Sequence, residues 1–254
     1  MDILCHVQDG VCRLQFNRAA KKNAITADMY SALAAALRAA DADPAVRAIL
    51  IAGHPDIYTA GNDIEDFLAN PPSGEASPVI QFLLAISTAE KPIVAAVSGA
   101  AVGIGTTLLM HCDLVYAAEH ARFQLPFTTL GLVPEAASSL LFPRLAGYPR
   151  AAEKLLLGEP FGAAEAYALG LVSAVLARDE LMPHVDKQLA KLVALPAGAV
   201  QATKRLMKSH DAAHVAAAIR TESAEFVTRL ASPAAREAFT AFLARRKPDF
   251  SGKD

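Results

Sequence analysis

The sequence contains no tryptophan and only three cysteines, Cys5, Cys12 and Cys112, with no CxxC pair among them. An odd number of scattered thiols excludes a disulfide framework and a cysteine-based zinc site. They read as reduced core filler in a cytoplasmic protein. A dominant charge is missing too. The 24 basic residues nearly balance the 26 acidic ones, for a formal net charge of -2. Neither nucleic acid nor a membrane surface is therefore expected as the main partner. The seven histidines show no ligand spacing, so no metal is expected. The opening "MDILCHVQDG" has no basic stretch and no apolar run, and is not read as a secretory signal.

One long uncharged run does exist, "PIVAAVSGAAVGIGTTLLM" from Pro92 to Met110. Ser98, three glycines and two threonines interrupt it, which argues against a membrane span. "IVAAV" reads as a buried strand and "TTLLMHC" as the start of a helix. Ser98 stands before Gly99, but no GxSxG elbow surrounds it and no His/Asp partner is identifiable, so a serine nucleophile is not expected.

The 254 residues are 53% hydrophobic, enough for a large core. "VCRLQFN" alternates as a half-exposed strand, and a helix is expected from Thr26 to Asp43, followed by a strand over 46–53 and a loop, "HPDIYTAGNDIEDF". The insert "PPSGEASP" (71–78) looks flexible and precedes a helix. "KPIVAAV", "LVYAA" and "ARFQL" read as further strands. Past Pro143 the pattern is helical over 149–158, 162–169, 179–195, 198–210 and 212–246, with a turn at Ser232-Pro233. Strands alternating with helices predict an α/β fold on a parallel sheet, with a helical region at the end.

Two segments carry chemistry. "YTAGNDI" (58–64) turns at Gly61, and "VGIGTT" (102–107) places Ile104 between two glycines where a strand gives way to a helix. A backbone N–H at such a helix start favours negative charge, although tight helix–strand packing explains the glycines equally well. Glu135, in "LGLVPEAASS" (130–139), is the only ionisable residue between Arg122 and Arg144. An apolar setting raises a carboxyl's pKa and strengthens it as a base; alternatively, Pro134-Glu135 opens a helix.

Residues 58–64 and the stretch "VSGAAVGIGTTLLMHCDLVYAAEHARF" (97–123) resemble the two signatures of the crotonase (enoyl-CoA hydratase/isomerase) superfamily. The similarity continues through "NRAAKKNAIT", "GLVPEAASSLLFPRLAG", "EAYALGLVSAV" and "ARRKPDF", and so covers nearly the whole chain. It implies a crotonase-like (ClpP/crotonase) fold of repeated ββα units. Residues 1–195 would form the core with the CoA-binding and catalytic site, and 196–254 a helical trimerisation region. The substrate would be an acyl-CoA, the CoA thioester itself, with no cofactor. The assembly would be a homotrimer or a dimer of trimers.

By that resemblance the amides of Asn62 and Ile104 form the oxyanion hole, with Ile104 standing where glycine is common. CoA would lie against Ala60, Gly61, Asp63 and Ile64, flanked by Lys22 and Ala24. Lys21 and Lys22 would meet its phosphates, unless they are merely a solvated pair, and the closing "RRK" (Arg245–Lys247) is a weaker candidate for the CoA of its own or a neighbouring subunit. Asp63 reads as turn-fixing, His111 as packed structure, and Asp113 as closing its helix on nearby backbone. Hydratases of the family use two glutamates; the matching positions here are Thr107 and Phe127, neither of which can act as a base. Glu135 falls where delta-3,delta-2-enoyl-CoA isomerases carry an acid, which implies a single-carboxylate isomerase. The alternatives are a hydratase or other family lyase with a rearranged water site, and a non-catalytic acyl-CoA-binding protein. The 71–78 insert and residues 79–88 are expected to border the acyl pocket.

Overall fold

The computed structural model describes residues 1–253. Ten strands form two sheets. The chain begins with a hairpin, β1 (Ile3–Gln8) and β2 (Val11–Phe16), closed by Asp9 and Gly10 at φ 51° and 76°. Such Asp-Gly turns match the right-handed twist of the strands they join. Strand β1 is absent from the sequence reading because five of its six residues are exposed, which removes the alternation that marks a strand.

From β2 the larger sheet continues in parallel through β3 (Ala48–Ala52), and on the far side of β4 (Ile57–Thr59) it takes up β5 (Ile93–Val97). After β6 (Ala100–Val102) come β7 (Leu114–Ala118), β8 (Arg122–Gln124), β9 (Phe161–Gly162) and β10 (Ala174–Leu176). The larger sheet has the order β1-β2-β3-β5-β7-β10, and the smaller has β4-β6-β8-β9. Strands β3, β5 and β7 are thus each followed at once by a short strand of the other sheet, which gives the repeated ββ step. The segment 54–67 holds β4 and the start of the helix Ile64–Ala69, so the loop expected there is only partly a loop. Strands of two or three residues, such as β4, β6, β9 and β10, are too short for a period of two to show in the sequence.

Both faces of the larger sheet are covered, as parallel sheets require. Leu14, Ile49, Ile51, Ala95 and Val97 face the main core, and Val11, Leu50, Val94 and Ala96 face Val185 and Leu189 of the helix Leu181–Ala194. The helix Ala27–Ala42 starts where Thr26 accepts from the Met29 amide. The expected 212–246 helix divides into Ala212–Leu230 and Pro233–Leu243, and Ser232 caps the second. Ile219, Phe226, Ala235 and Phe239 from these helices belong to the same buried core as the strands. Asp113 accepts from the Ile93 amide at 2.7 Å and pairs with Lys204 at 2.8 Å, which fastens the helix Ala197–Ser209 to the sheet. Of the cysteines Cys12 is buried, but Cys5 lies exposed on the edge strand and is no core filler. No helix among the described residues is long and apolar enough to cross a membrane.

Candidate active site

The first element of the site is the turn after β4. Ile25 donates to the Gly61 carbonyl at 2.8 Å, and Asp63 donates to the Ile25 carbonyl at 2.9 Å. This parallel bridge turns the intervening Asn62 amide away from Ile25, and among the described residues that amide donates to no acceptor. Gly61 has φ +86°, and a Cβ there would stand 2.7 Å from the Val102 carbonyl oxygen, so only glycine fits. Asp63 caps the helix Ile64–Ala69 by accepting from Asp66, and it pairs with Arg18 at 2.6 Å. Burial pushes its carboxyl up, but the Arg18 and Asp66 hydrogen bonds outweigh burial and hold it below the ordinary value. Asp63 therefore fixes the turn, as expected. Asn23, which the sequence did not single out, is fully buried. It donates to the Ile57 and Tyr58 carbonyls at 3.1 and 3.0 Å, and so ties the "KKNA" turn to β4.

The second element is the junction after β6. The Gly103 carbonyl accepts from Thr106 and Thr107 at 2.8 and 3.0 Å, which starts the short helix Ile104–Thr107. The Ile104 amide opens that turn and, among the described residues, has no acceptor. A Cβ at Gly105 would meet the Thr59 methyl at 2.5 Å, so this glycine lets the helix lie directly on β4. Tight packing and a free amide are therefore consequences of the same two glycines.

The third element is the loop that carries Glu135. Ala136 and Ala137 both have left-handed backbones, at φ 61° and 56°. They turn the chain sharply into the helix Ser138–Ala146, whose N-cap, Ala137, offers no side-chain bond. The capping role that Pro134-Glu135 allowed falls to Glu222 instead. Its carboxylate accepts from the Ala137 amide at 2.6 Å, from the Ser139 amide at 2.9 Å, and from the Ser139 hydroxyl. On the other side His111 Nε2 donates to the Ala136 carbonyl at 2.8 Å. His111 is packed structure, as expected, and burial drives its pKa down to about 4, so it is a neutral donor. Glu135 itself is 7% exposed, and its Oε1 has no partner. Burial first, and the nearby Glu222 charge second, push its carboxyl from 4.5 up to about 8.

These elements line one cleft of about 510 Å³, within the usual range for small-molecule sites, roughly 300–1,000 Å³. The cleft brings together Glu135, Asn62 and Ile104, and along its wall Lys22, Ala24, Ala60, Gly61, Asp63 and Ile64. All the residues expected for the acid/base, the oxyanion hole and the CoA wall line it. Lys21 does too, though it also lies 3.9 Å from Glu65. Phe127 forms part of the wall, whereas Thr107 is fully buried behind it. Three rings that sequence reasoning missed, Phe226, Phe239 and Phe242, come from the last two helices.

None of Arg245–Lys247 lines the cleft of its own chain, and Arg246 is taken up by Glu237 at 2.5 Å. Of the segment expected to border the acyl pocket, Pro71, Pro72, Ser73 and Ala76 to Val79 line a cavity of about 550 Å³ beside Tyr30 and Phe67, and Phe67 lines the Glu135 cleft as well. His120 does stand 3.3 Å from Ser98, but the Ser98 hydroxyl is committed to the Pro55 carbonyl, so no activated nucleophile results.

The model of the enoyl-CoA hydratase/isomerase family matches residues 6–253. Human enoyl-CoA delta isomerase 2 is 34% identical over 246 residues, which make up 94% of this chain but 62% of that protein. This chain therefore spans less than two thirds of the human protein. A probable enoyl-CoA hydratase of Rhizobium meliloti is also 34% identical, over 98% of this chain and 97% of its own length. Among solved structures, an enoyl-CoA hydratase/isomerase from Pseudoalteromonas atlantica superposes with a TM-score of 0.93 at 40% identity, covering 98% of this chain and 100% of that one.

Proposed function

The chain belongs to the enoyl-CoA hydratase/isomerase family and has the crotonase fold, and within that family we propose that it is an isomerase, moving the double bond of an enoyl-CoA from the 3- to the 2-position. One observation carries the reading. Of the carboxyls lining the cleft, Glu135 alone is buried with a free oxygen, whereas Asp63 is tied to Arg18 and Glu65 is exposed. The aromatic ring of Phe127 lines the wall at the position of a hydratase's second glutamate.

In this reading the thioester oxygen accepts from the Asn62 and Ile104 amides. Each such donor contributes roughly 2.7–4 kcal/mol to the transition state. The Glu135 carboxylate removes a proton from carbon 2, and the two amides hold the enolate oxygen that results. The same carboxyl, now protonated, delivers a proton to carbon 4, which leaves the double bond between carbons 2 and 3. No atom is gained or lost, so one acid/base suffices. A carboxyl standing at about 8 is both a stronger base than an ordinary glutamate and able to return the proton near neutral pH. The CoA part of the substrate would run along Ala24 and Ala60–Ile64 toward Lys21 and Lys22, with no further cofactor. Self-association as a homotrimer or dimer of trimers belongs to the same reading, and sedimentation of the purified protein tests it.

The activity test is incubation with 3-hexenoyl-CoA and with crotonyl-CoA, followed by NMR in heavy water. Conversion of the first to its 2-enoyl isomer, with crotonyl-CoA left unhydrated, supports the isomerase. Hydration of crotonyl-CoA would point instead to a hydratase, and CoA binding without turnover of either compound to a binding protein. Glu135→Gln should retain the fold and lose at least about 100-fold in turnover; an undiminished rate removes Glu135 from the mechanism.

A further inference from the structure

Glu222 lies 87 residues beyond Glu135 in the sequence, on the helix Ala212–Leu230, yet it grips the Glu135 loop at three atoms. We propose that Glu222 is a positioning residue for the reaction: it holds the strained turn at Ala136 and Ala137 in the one shape that aims the Glu135 carboxyl into the cleft. The inference rests on Glu135 being the acid/base of the reading above.

The geometry supports this in three steps. Two successive left-handed alanines are unfavourable and would relax without an anchor. The anchor consists of charge-assisted hydrogen bonds from the Ala137 and Ser139 amides, which flank the start of the helix Ser138–Ala146. His111 takes the Ala136 carbonyl from the other side, so the peptide units after Glu135 are held at both ends. Helix capping alone would be met by Ser139's neighbours or by a neutral acceptor. Here a carboxylate only 7% exposed, with no cationic partner among the described residues, is placed beside the base. Its charge adds to burial in keeping Glu135 protonated to higher pH.

The other groups around the pair do not blur a pH test. Tyr30, which also senses the Glu135 charge, is pushed well above its ordinary value by burial, and His111 stays neutral above about 4. The helix Pro78–Thr88 packed on Ala212–Leu230 carries no titratable side chain. On the elements nearby, Arg220 pairs with Glu75, Glu225 with Arg229, Arg144 with Asp211 and Glu237 with Arg246. At the cleft wall Asp63 pairs with Arg18, Lys21 lies near Glu65, and Lys22 is exposed.

The experiment measures kcat and KM for 3-hexenoyl-CoA across pH in Glu222→Gln, Glu222→Asp and Glu135→Gln, with circular dichroism to confirm folding. Glu222→Gln removes the charge and sets an amide group against the loop's N–H donors. Its kcat should fall about 10- to 100-fold while KM changes little, and the rising limb of its pH profile should move to the acid side by about half a unit or more. Glu222→Asp keeps the charge but falls short of the loop, so kcat should drop while the limb stays in place. Wild-type kcat and an unmoved limb in Glu222→Gln, with Glu135→Gln inactive, would overturn the role of Glu222 and leave the isomerase reading standing. Full activity in Glu135→Gln would sink that reading itself. If Glu222→Gln does not fold, Glu222→Asp decides, because wild-type kcat in it refutes the positioning role.

Discussion

Replacing Glu135 by glutamine tests the electrostatics of the site through stability rather than rate. The carboxyl stands at about 8 in the folded chain against 4.5 ordinarily, chiefly because burial disfavours its charged form and secondly because Glu222 repels it. The native state therefore binds this proton more tightly than the unfolded chain does. The resulting stabilisation is fully present below about pH 4.5, declines as pH rises, and is gone once pH passes about 8. Each unit corresponds to about 1.4 kcal/mol, so the whole swing is roughly 5 kcal/mol, comparable with the net stability of many domains. Glutamine is nearly the same size and neutral at every pH, so the variant lacks the swing. Urea unfolding of both proteins at about pH 5 and about pH 8.5 reads it directly. The stability of Glu135→Gln relative to wild type should rise by roughly 4 kcal/mol between the two conditions, since other groups titrate alike in both proteins. A difference that does not change with pH would mean that the Glu135 carboxyl is solvated, and the argument for a strengthened base would fail with it.

The rate should follow the same group: kcat/KM for 3-hexenoyl-CoA should rise with pH along a single limb centred near 8, because the free enzyme needs the ionised Glu135. A limb near an ordinary carboxyl value would contradict the burial. Gly105→Ala places a methyl carbon 2.5 Å from that of Thr59 and must lift the Ile104 turn from β4. Loss of one oxyanion donor corresponds to about 100-fold or more in kcat, measured on the folded variant. Asp113→Asn should do the reverse, costing about 3 kcal/mol in urea unfolding by leaving the buried Lys204 ammonium without its partner. Its kcat should remain near wild type, because Asp113 does not line the cleft.

The parts of the site that were legible in the sequence are those where local backbone geometry dictates residue type. Gly61 and Gly105 stand where any side chain would strike backbone or a packed neighbour, so the turns that expose the Asn62 and Ile104 amides carry their own mark. Glu135 stood out because a lone charge in an apolar stretch needs a reason. The short strands were not legible, because β9 has two residues and β4, β6 and β10 three each, too few for an alternation of period two to repeat. Nor were Glu222 and the three phenylalanines, because helix packing brings them to the cleft from far along the chain. A signal did exist. Ile219, Glu222 and Phe226 follow one another at spacings of three and four, which puts a glutamate on the buried face of its helix. It is the same oddity as Glu135, one acid among apolar neighbours, and the two prove to be partners around one loop.

That pairing bears on what the last helices are for. Among the described residues four buried side-chain atoms lack a partner, and two of them, Glu135 Oε1 and the Ser138 hydroxyl, belong to this loop and its helix, the others being Arg47 Nε and the Tyr58 hydroxyl. Each such group costs about 1–3 kcal/mol, and in the proposed reaction Glu135 and the Asn62 and Ile104 amides act only where their places are fixed. The strands and their turns fix the two amides, but nothing in residues 1–195 takes up the Ala137 and Ser139 amides; Glu222 does. Phe226, Phe239 and Phe242 from the same two helices also line the cleft. Whatever surface the helices after residue 196 offer to other subunits, their inward face joins the main core and holds the Glu135 loop through Glu222.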